Sequence, residues 1–266
     1  MLANYHTHST FCDGKNTPEE ITVAAIERGF SAIGFSGHGY TDFDLRYCMS
    51  DTGAYIAEIK RLKSKYEGKI QIYLGVEEDA FCYTNRNEFD YIIGSSHYFC
   101  CDGKFYPIDS NHDYFKKCLE LFSYNIPLMA HTYYGRFCDY IVKRKPDIIG
   151  HFDLITKFDE LDKQMFLNNL EYCAIAEKYI AIAAQSGCVF ELNTGAIARG
   201  LRSSPYPAEN LLFVLKNNGA RLLLSSDSHT VETLDFGFSE ARTYLKSIGF
   251  EYVYTLYNNE FVKDFL

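Results

Sequence analysis

The sequence has no stretch near the roughly 18 apolar residues needed to span a membrane. Its first residues, MLANYHTH, offer neither the basic nor the apolar segment of a secretory leader. A membrane-free, cytoplasmic protein is therefore expected. No CxxC pair occurs among nine cysteines, an odd number scattered from Cys12 to Cys188. In a chain of this length they read as reduced thiols rather than a disulfide framework. No Lys/Arg cluster stands out against a net charge of −9 and a pI near 5.4, which argues against nucleic acid held on a cationic face. A small anionic partner remains possible, because bound cations can dominate the charge inside a site. GxSxG is missing, as is GxxxxGK followed by Ser or Thr, so neither a serine nucleophile on an elbow nor a P-loop is supported. There is no Pro/Ser linker, low-complexity tract or repeat of fixed period across the 266 residues, and one domain spanning 1–266 is expected.

The chain does have apolar residues in quantity, 47%, with 16% aromatic, enough for one large core. Short apolar strands alternate with helical stretches. Residues 2–6 read as a strand. In TPEEITVAAIERG, Thr17 is placed as N-cap, Pro18 at the first helical position, Glu20 closes a capping box and Gly29 is the stop. SAIGFS (31–36) is the next strand. Strand, capped helix and strand with short connections form a βαβ unit, so its strands should be parallel. The alternation continues with a helix over 52–67, strands at 70–76 and 90–96, and helical sequence over 113–145 broken near Asn125 to Pro127. A strand at 147–151 precedes a long helix from about Asp162 to Ser186, stopped by Gly187. A strand at 188–193, a helix from near Pro207, a strand at 220–226 and a helix over about 231–247 complete it. Seven strands alternating with helices give a parallel sheet covered on both faces.

Six of the eight histidines lie where one of these strands runs out: His6, His8, His38, His97, His151 and His229. Glu77 and Asp227 occupy similar positions. An open doubly wound sheet gathers its site at one switch point, and no GxGxxG turn follows the first strand. Residues at the ends of many strands converge only on the rim of a barrel. An α/β fold, a distorted seven-stranded barrel, is therefore expected. His6 and His8 are two apart, on one face of a strand, with Asp13 in the loop beyond. Asp227 and His229 repeat the spacing, although SSDS also resembles the start of a helix. Glu77 opens a run of three acids, a pattern common in solvated loops, of which only one need face inward. His112 and His131 lie in helical sequence and are assigned to structure.

Histidine mixed with carboxylate, and without cysteine, suits zinc, iron or manganese. Clustered cations with such ligands serve hydrolysis at phosphorus or carbonyl centres, lowering the pKa of bound water and clamping phosphate oxygens.

These motifs, in order, resemble the polymerase-and-histidinol-phosphatase family: HxH with a downstream Asp (His6, His8, Asp13), His38, GxE (Gly75 to Glu77), His97, GHxD (Gly150 to Asp153) and DSH (Asp227 to His229). The resemblance covers nearly the whole chain. It implies a distorted seven-stranded (β/α) barrel with three divalent metal ions: one held by His6, His8, Glu77 and Asp227, a second by Glu77, His97 and His151, a third by Asp13, His38 and His229. Asp13 stands where some members have histidine. The ELNTGAIARG stretch resembles the histidinol-phosphatase branch, which implies basic substrate-contacting residues, here Arg199, Arg202 and Lys157. The activity so implied is hydrolysis of L-histidinol phosphate in histidine biosynthesis, with Asp227 or a rim histidine such as His229 protonating the leaving alkoxide. The rival readings are a phosphoesterase of the same family acting on phosphotyrosyl proteins or nucleotides, and a non-catalytic metal-binding module. A metal-dependent amidohydrolase often carries a modified lysine after strand four, where this chain has GSSH.

Overall fold

A computed structural model describes residues 1–266, Asp162 by its backbone alone. In chain order its strands are β1 (Ala3–Asn4), β2 (Ala32–Phe35), β3 (Gln71–Asp79), β4 (Tyr91–Ser95), β5 (Tyr98–Cys101), β6 (Lys104–Pro107), β7 (Ile148–Ile149), β8 (Val189–Asn193), β9 (Arg221–Ser225), β10 (Tyr252–Tyr257) and β11 (Glu260–Phe265). Its helices are α1 (Pro18–Glu27), α2 (Thr52–Lys65), α3 (His112–Leu121), α4 (Ile126–Arg144), α5 (Leu170–Ala184), α6 (Gly195–Ala198), α7 (Glu209–Asn217) and α8 (Phe238–Ile248). Seven strands run parallel in the order β1-β2-β3-β4-β7-β8-β9. The ring closes only beyond the ends of β1 and β9, through a parallel bridge between Thr7 and Ser228. There His8 N–H donates to the Ser228 carbonyl (2.8 Å) and Ser228 N–H to the His6 carbonyl (3.1 Å). The HTH and DSH triplets are thus the two edges of the seam, and the ladder that closes the barrel also sets His6 and His8 against Asp227 and His229.

Local chemistry explains the elements. Thr17 accepts from Glu20 N–H while the Glu20 carboxylate accepts from Thr17 N–H, the expected capping box, with Pro18 opening α1. Gly29 follows with a positive φ of 77°. Asn125, capping Leu128 N–H, separates α3 from α4. Three apolar layers result. Ile33, Phe35 and Leu74 pack on α1 and α2, and Phe190 and Leu222 pack on α4, α5, α7 and α8. Inside the barrel lie Tyr5, Tyr73, Tyr91, Ile93, Val189 and Leu223. The Tyr91 ring occupies the space that side chains at positions 34 and 75 would need: a Cβ on Gly75 would meet it at 2.2 Å, and one on Gly34 would meet its hydroxyl at 2.3 Å.

The structure corrects three expectations. The helix expected from Asp162 starts at Leu170, because the Asp159 carboxylate takes the Phe166 and Leu167 N–H groups (2.8 and 2.9 Å) and Lys163 and Gln164 are left-handed. The helix expected from Val231 is a single 3₁₀ turn there, and α8 begins after Gly237, whose φ is 70°. Two antiparallel hairpins, β5-β6 and β10-β11, add four strands to the seven expected.

Candidate metal centre

Strand ends deliver nine ligand-type side chains to one rim. His6, His8 and Glu77 are buried, as are His97, His151 and Asp227. Glu77 sits at the centre. Its Oε2 faces His6 Nε2 (3.3 Å), His8 Nε2 (3.6 Å) and His38 Nδ1 (2.9 Å), and its Oε1 faces His97 Nε2 (3.3 Å) and His151 Nε2 (3.0 Å). The two oxygens of one carboxylate therefore address two sets of histidines. Asp227 Oδ1 faces His8 Nε2 (3.2 Å) and His6 Nε2 (3.6 Å). Asp13 reaches His229 Nε2 (3.3 Å), His38 Nε2 (3.6 Å) and His8 Nδ1 (3.6 Å). Four groupings have their ligand atoms close enough to hold an ion: His8, Asp13, His38 and His229; His6, Glu77 and His151; His6, His8 and Asp227; His38, Glu77 and His97. His8 and His38 each belong to two of them, so the structure draws the nine residues together as one cluster.

Buried polar atoms normally have a hydrogen-bond partner. His6 Nε2, His8 Nε2 and Glu77 Oε2 have none with hydrogen-bond geometry. All three point to the middle of the rim, as ligand atoms for a cation do. The electrostatics agree. Burial opposes the charge of Glu77, yet His6, His97 and His38 hold its carboxyl well below the usual range. Burial likewise opposes Asp227, and Arg199 and His6 hold it low. Burial pushes His8 down to about 3, aided by His229 and His38, which leaves a neutral imidazole. Neutral imidazole and ionised carboxylate are the forms that ligate metal. Against the cost of burial, Glu191, Asp13 and Glu77 instead push His6, His38 and His97 up, so an ion must displace a proton from each.

The ligands are held from behind, as metal sites require. His6 Nδ1 lies 2.8 Å from Glu191 Oε2, whose other oxygen accepts from His151 N–H (2.6 Å). His97 Nδ1 lies 3.1 Å from Asp79 Oδ2. Sequence reasoning passed over both carboxylates, though a signal existed for each. Glu191 is a lone acid inside the apolar strand CVFELN, and Asp79 is two residues from Glu77, on the same face. The run of three acids is no solvated loop. All three are buried in β3. Glu77 turns to the rim, Asp79 to His97, and Glu78 outward to a bidentate ion pair with Arg144 on α4 (2.7 Å each).

Above the rim lies a cavity of about 400 Å³, lined by Asp13, His38, Glu77, His97, His151, Asp227 and His229 and by three cations, Arg46, Lys157 and Arg199. Arg199 donates from one terminal nitrogen to Asp227 Oδ2 (2.9 Å) and from the other to the Asp227 carbonyl (3.1 Å). Lys157, from the loop after β7, donates to the Asp109 carbonyl (2.8 Å). Arg202, the third expected substrate contact, is not among the lining residues. It is 4% exposed and turned away among Asp153, Thr156 and Tyr206, which supply the partners a buried guanidinium needs. His112 opens α3 and His131 lies exposed on α4, both apart from the rim.

A family model described as "PHP domain" matches residues 4–195. The "Probable histidinol-phosphatase" of Schizosaccharomyces pombe is 28% identical over 272 residues, covering 94% of this chain and 87% of that protein. Among solved structures, HisK of Listeria monocytogenes superposes with a TM-score of 0.75 at 22% identity, over 90% of this chain and 99% of that one. Histidinol phosphate phosphatase of Lactococcus lactis, solved with zinc, L-histidinol and phosphate, gives 0.68 at 22% identity, over 98% and 99%. At these identities the structural likeness shows a shared barrel.

Proposed function

The chain belongs to the PHP domain family, and from that premise we propose that it is a metal-dependent phosphomonoesterase converting L-histidinol phosphate and water to L-histidinol and phosphate, a step of histidine biosynthesis. The observation that carries this reading is Glu77, one carboxylate whose two oxygens face two separate sets of histidines below a cavity walled by Arg199 and Lys157. The choice of histidinol phosphate rests on the histidinol-phosphatase names of relatives that match the chain nearly end to end.

The donor set fits three divalent ions. By the family resemblance His6, His8, Glu77 and Asp227 would hold the first, Glu77, His97 and His151 the second, and Asp13, His38 and His229 the third, a division that redistributes the four groupings of the rim; zinc, iron or manganese suits these donors. Such ions supply charge opposite the phosphate oxygens and acidity to a bound water. The chain's own groups do the rest. The Arg199 guanidinium, oriented by Asp227, and the Lys157 ammonium, oriented by Asp109, place positive charge on two walls for the phosphate. Asp227, kept ionised by Arg199 and His6 against the cost of burial, accepts a proton from the attacking water. The leaving alkoxide takes that proton back from Asp227, whose Oδ1 lies 3.6 Å from His229 Nδ1. All nine cysteines are free, as a reducing cytosolic setting would keep them, and among the described residues no helix is long and apolar enough to cross a membrane.

The test is a substrate panel with metal analysis on one preparation. We expect kcat/KM for histidinol phosphate to exceed that for phosphotyrosine and a nucleotide by at least about 100-fold, and activity to vanish on chelation and return with zinc or manganese. Full activity in metal-stripped protein would overturn the proposal.

A further inference from the structure

We propose that the buried Asp153–Arg202 pair is a brace that positions Arg199 above the rim, so that Arg202 acts on the phosphate through Arg199 and never touches it. This rests on the reading of the cavity as a phosphate-ester site. Arg202 is 4% exposed and Asp153 fully buried. One guanidinium nitrogen of Arg202 donates to Thr156 Oγ1 and lies 3.8 Å from Asp153 Oδ2, the other donates to Ser204 (3.3 Å), and the plane covers the Tyr206 ring at 4.4 Å. A charge is expensive to bury, and a chain that needed only packing here would be served by an apolar side chain.

What the pair joins explains its presence. Asp153 and Thr156 belong to the segment after β7, which carries His151 and the cavity-lining Leu154 and Lys157. Arg202 belongs to the loop after β8, three residues beyond Arg199. That loop is pinned at its base, where Asn193 and Tyr206 exchange backbone hydrogen bonds (2.8 and 2.9 Å), and Ala208 N–H donates to Asp153 Oδ2 (3.1 Å). Between these pins the α6 turn and Gly200, at φ 68°, carry Arg199 to Asp227. Arg202 ties the free arc of this loop to the neighbouring wall from its buried side, while Ser203 N–H and Oγ donate to Glu160 (2.8 Å each) from its exposed side. Two of the three cations of the cavity, Arg199 and Lys157, are thereby referred to one buried contact.

The experiment titrates inorganic phosphate into zinc-loaded protein by calorimetry, with metal content and melting temperature measured in parallel, for wild type, Arg199→Met, Arg202→Lys and the double variant. Arg202→Lys keeps the charge but loses the fork. We expect it to retain metal and to weaken phosphate about tenfold or more. The double variant should bind phosphate no more weakly than Arg199→Met alone, because the brace has nothing left to position. Thr156→Val, which removes a hydroxyl that accepts from Arg202 and donates to the Asp153 carbonyl (2.8 Å), is read the same way if Arg202→Lys does not fold. Wild-type phosphate affinity in folded Arg202→Lys or Thr156→Val overturns the brace, and so do losses that add to that of Arg199→Met. Wild-type protein that binds phosphate but leaves histidinol phosphate intact overturns the substrate reading alone.

Discussion

The two ends of the barrel interior both bury polar groups, and they treat them in opposite ways. At the N-terminal end, tyrosine hydroxyls find protein partners. Tyr5 bonds Thr255 and the Leu256 carbonyl (2.7 and 2.8 Å), Tyr73 bonds Gln71 (2.7 Å), and Tyr91 donates to the Tyr5 carbonyl (2.5 Å). The β10-β11 hairpin supplies several of these acceptors and covers that end. At the C-terminal end, His6, His8 and Glu77 turn atoms toward each other that no protein group satisfies. Burial alone therefore does not separate structure from function in this barrel. Completeness of hydrogen bonding does: the satisfied end stabilises, and the unsatisfied end is built for a ligand.

Four measurements would break or sharpen that contrast. The largest effect is expected for Glu77→Gln, which keeps the shape and removes the shared charge. Phosphate release should fall by well over the roughly 100-fold that outer ligand partners command, with metal lost on elemental analysis and melting of the chelated protein little changed. Retained metal and activity would show that Glu77 is no bridge. Glu191→Gln leaves the ligands in place and loosens His6 and His151. We expect about 10–100-fold in metal affinity or kcat, measured by competition with a chromogenic chelator, and Asp79→Asn should act alike through His97. At the other end, Tyr91→Phe leaves the Tyr5 carbonyl unpaired and should cost about 1–3 kcal/mol in urea unfolding while kcat and metal content stay at wild type. A loss of metal there would join the two ends functionally and end the comparison.

The smallest effect is in the pH dependence, and it has opposite sign at the two ends. Burial holds the phenols of Tyr5 and Tyr91 above their ordinary range. The folded chain keeps protons that the unfolded chain releases above about pH 10, so stability is full below that pH and declines as pH rises beyond it. Tyr91→Phe should flatten the decline. At the rim, Glu77, Asp227 and Glu191 are held low despite burial by His6 and its neighbours. Their contribution is present above about pH 4 and is lost as pH falls further. Glu191→Gln should flatten the acid limb and, because Glu191 also holds His6 up against burial, the part of the decline that begins above about pH 6.5. The limb above about pH 10 is left to Tyr91, and urea melts across this range separate the three.

Much of this was legible in the sequence. The period of two placed His6 with His8, and the capped unit Thr17 to Gly29 made the first two strands parallel. Six strand-end histidines required a ring. Local chemistry carries such signals because caps, turns and alternation depend on neighbours in the chain. The segment 162–169 was misread as helix because what breaks it is the Asp159 carboxylate, seven residues before Phe166, folding back onto the Phe166 N–H. Arg199 and Arg202 were indistinguishable, two cations three residues apart in one loop, until packing sent one to Asp227 and the other to Asp153.

The sequence by itself therefore determined the fold class, the parallel order of the strands and which residue types would meet on the rim, since these follow from periodicity and strand ends. Only the tertiary structure decided how they meet. It made the HTH and DSH triplets the seam of the barrel, gave the oxygens of Glu77 to different histidines, and split the acids at 77, 78 and 79 among the rim, Arg144 and His97. Those outcomes depend on distances between residues far apart in the chain, and such distances exist only once the ring has closed.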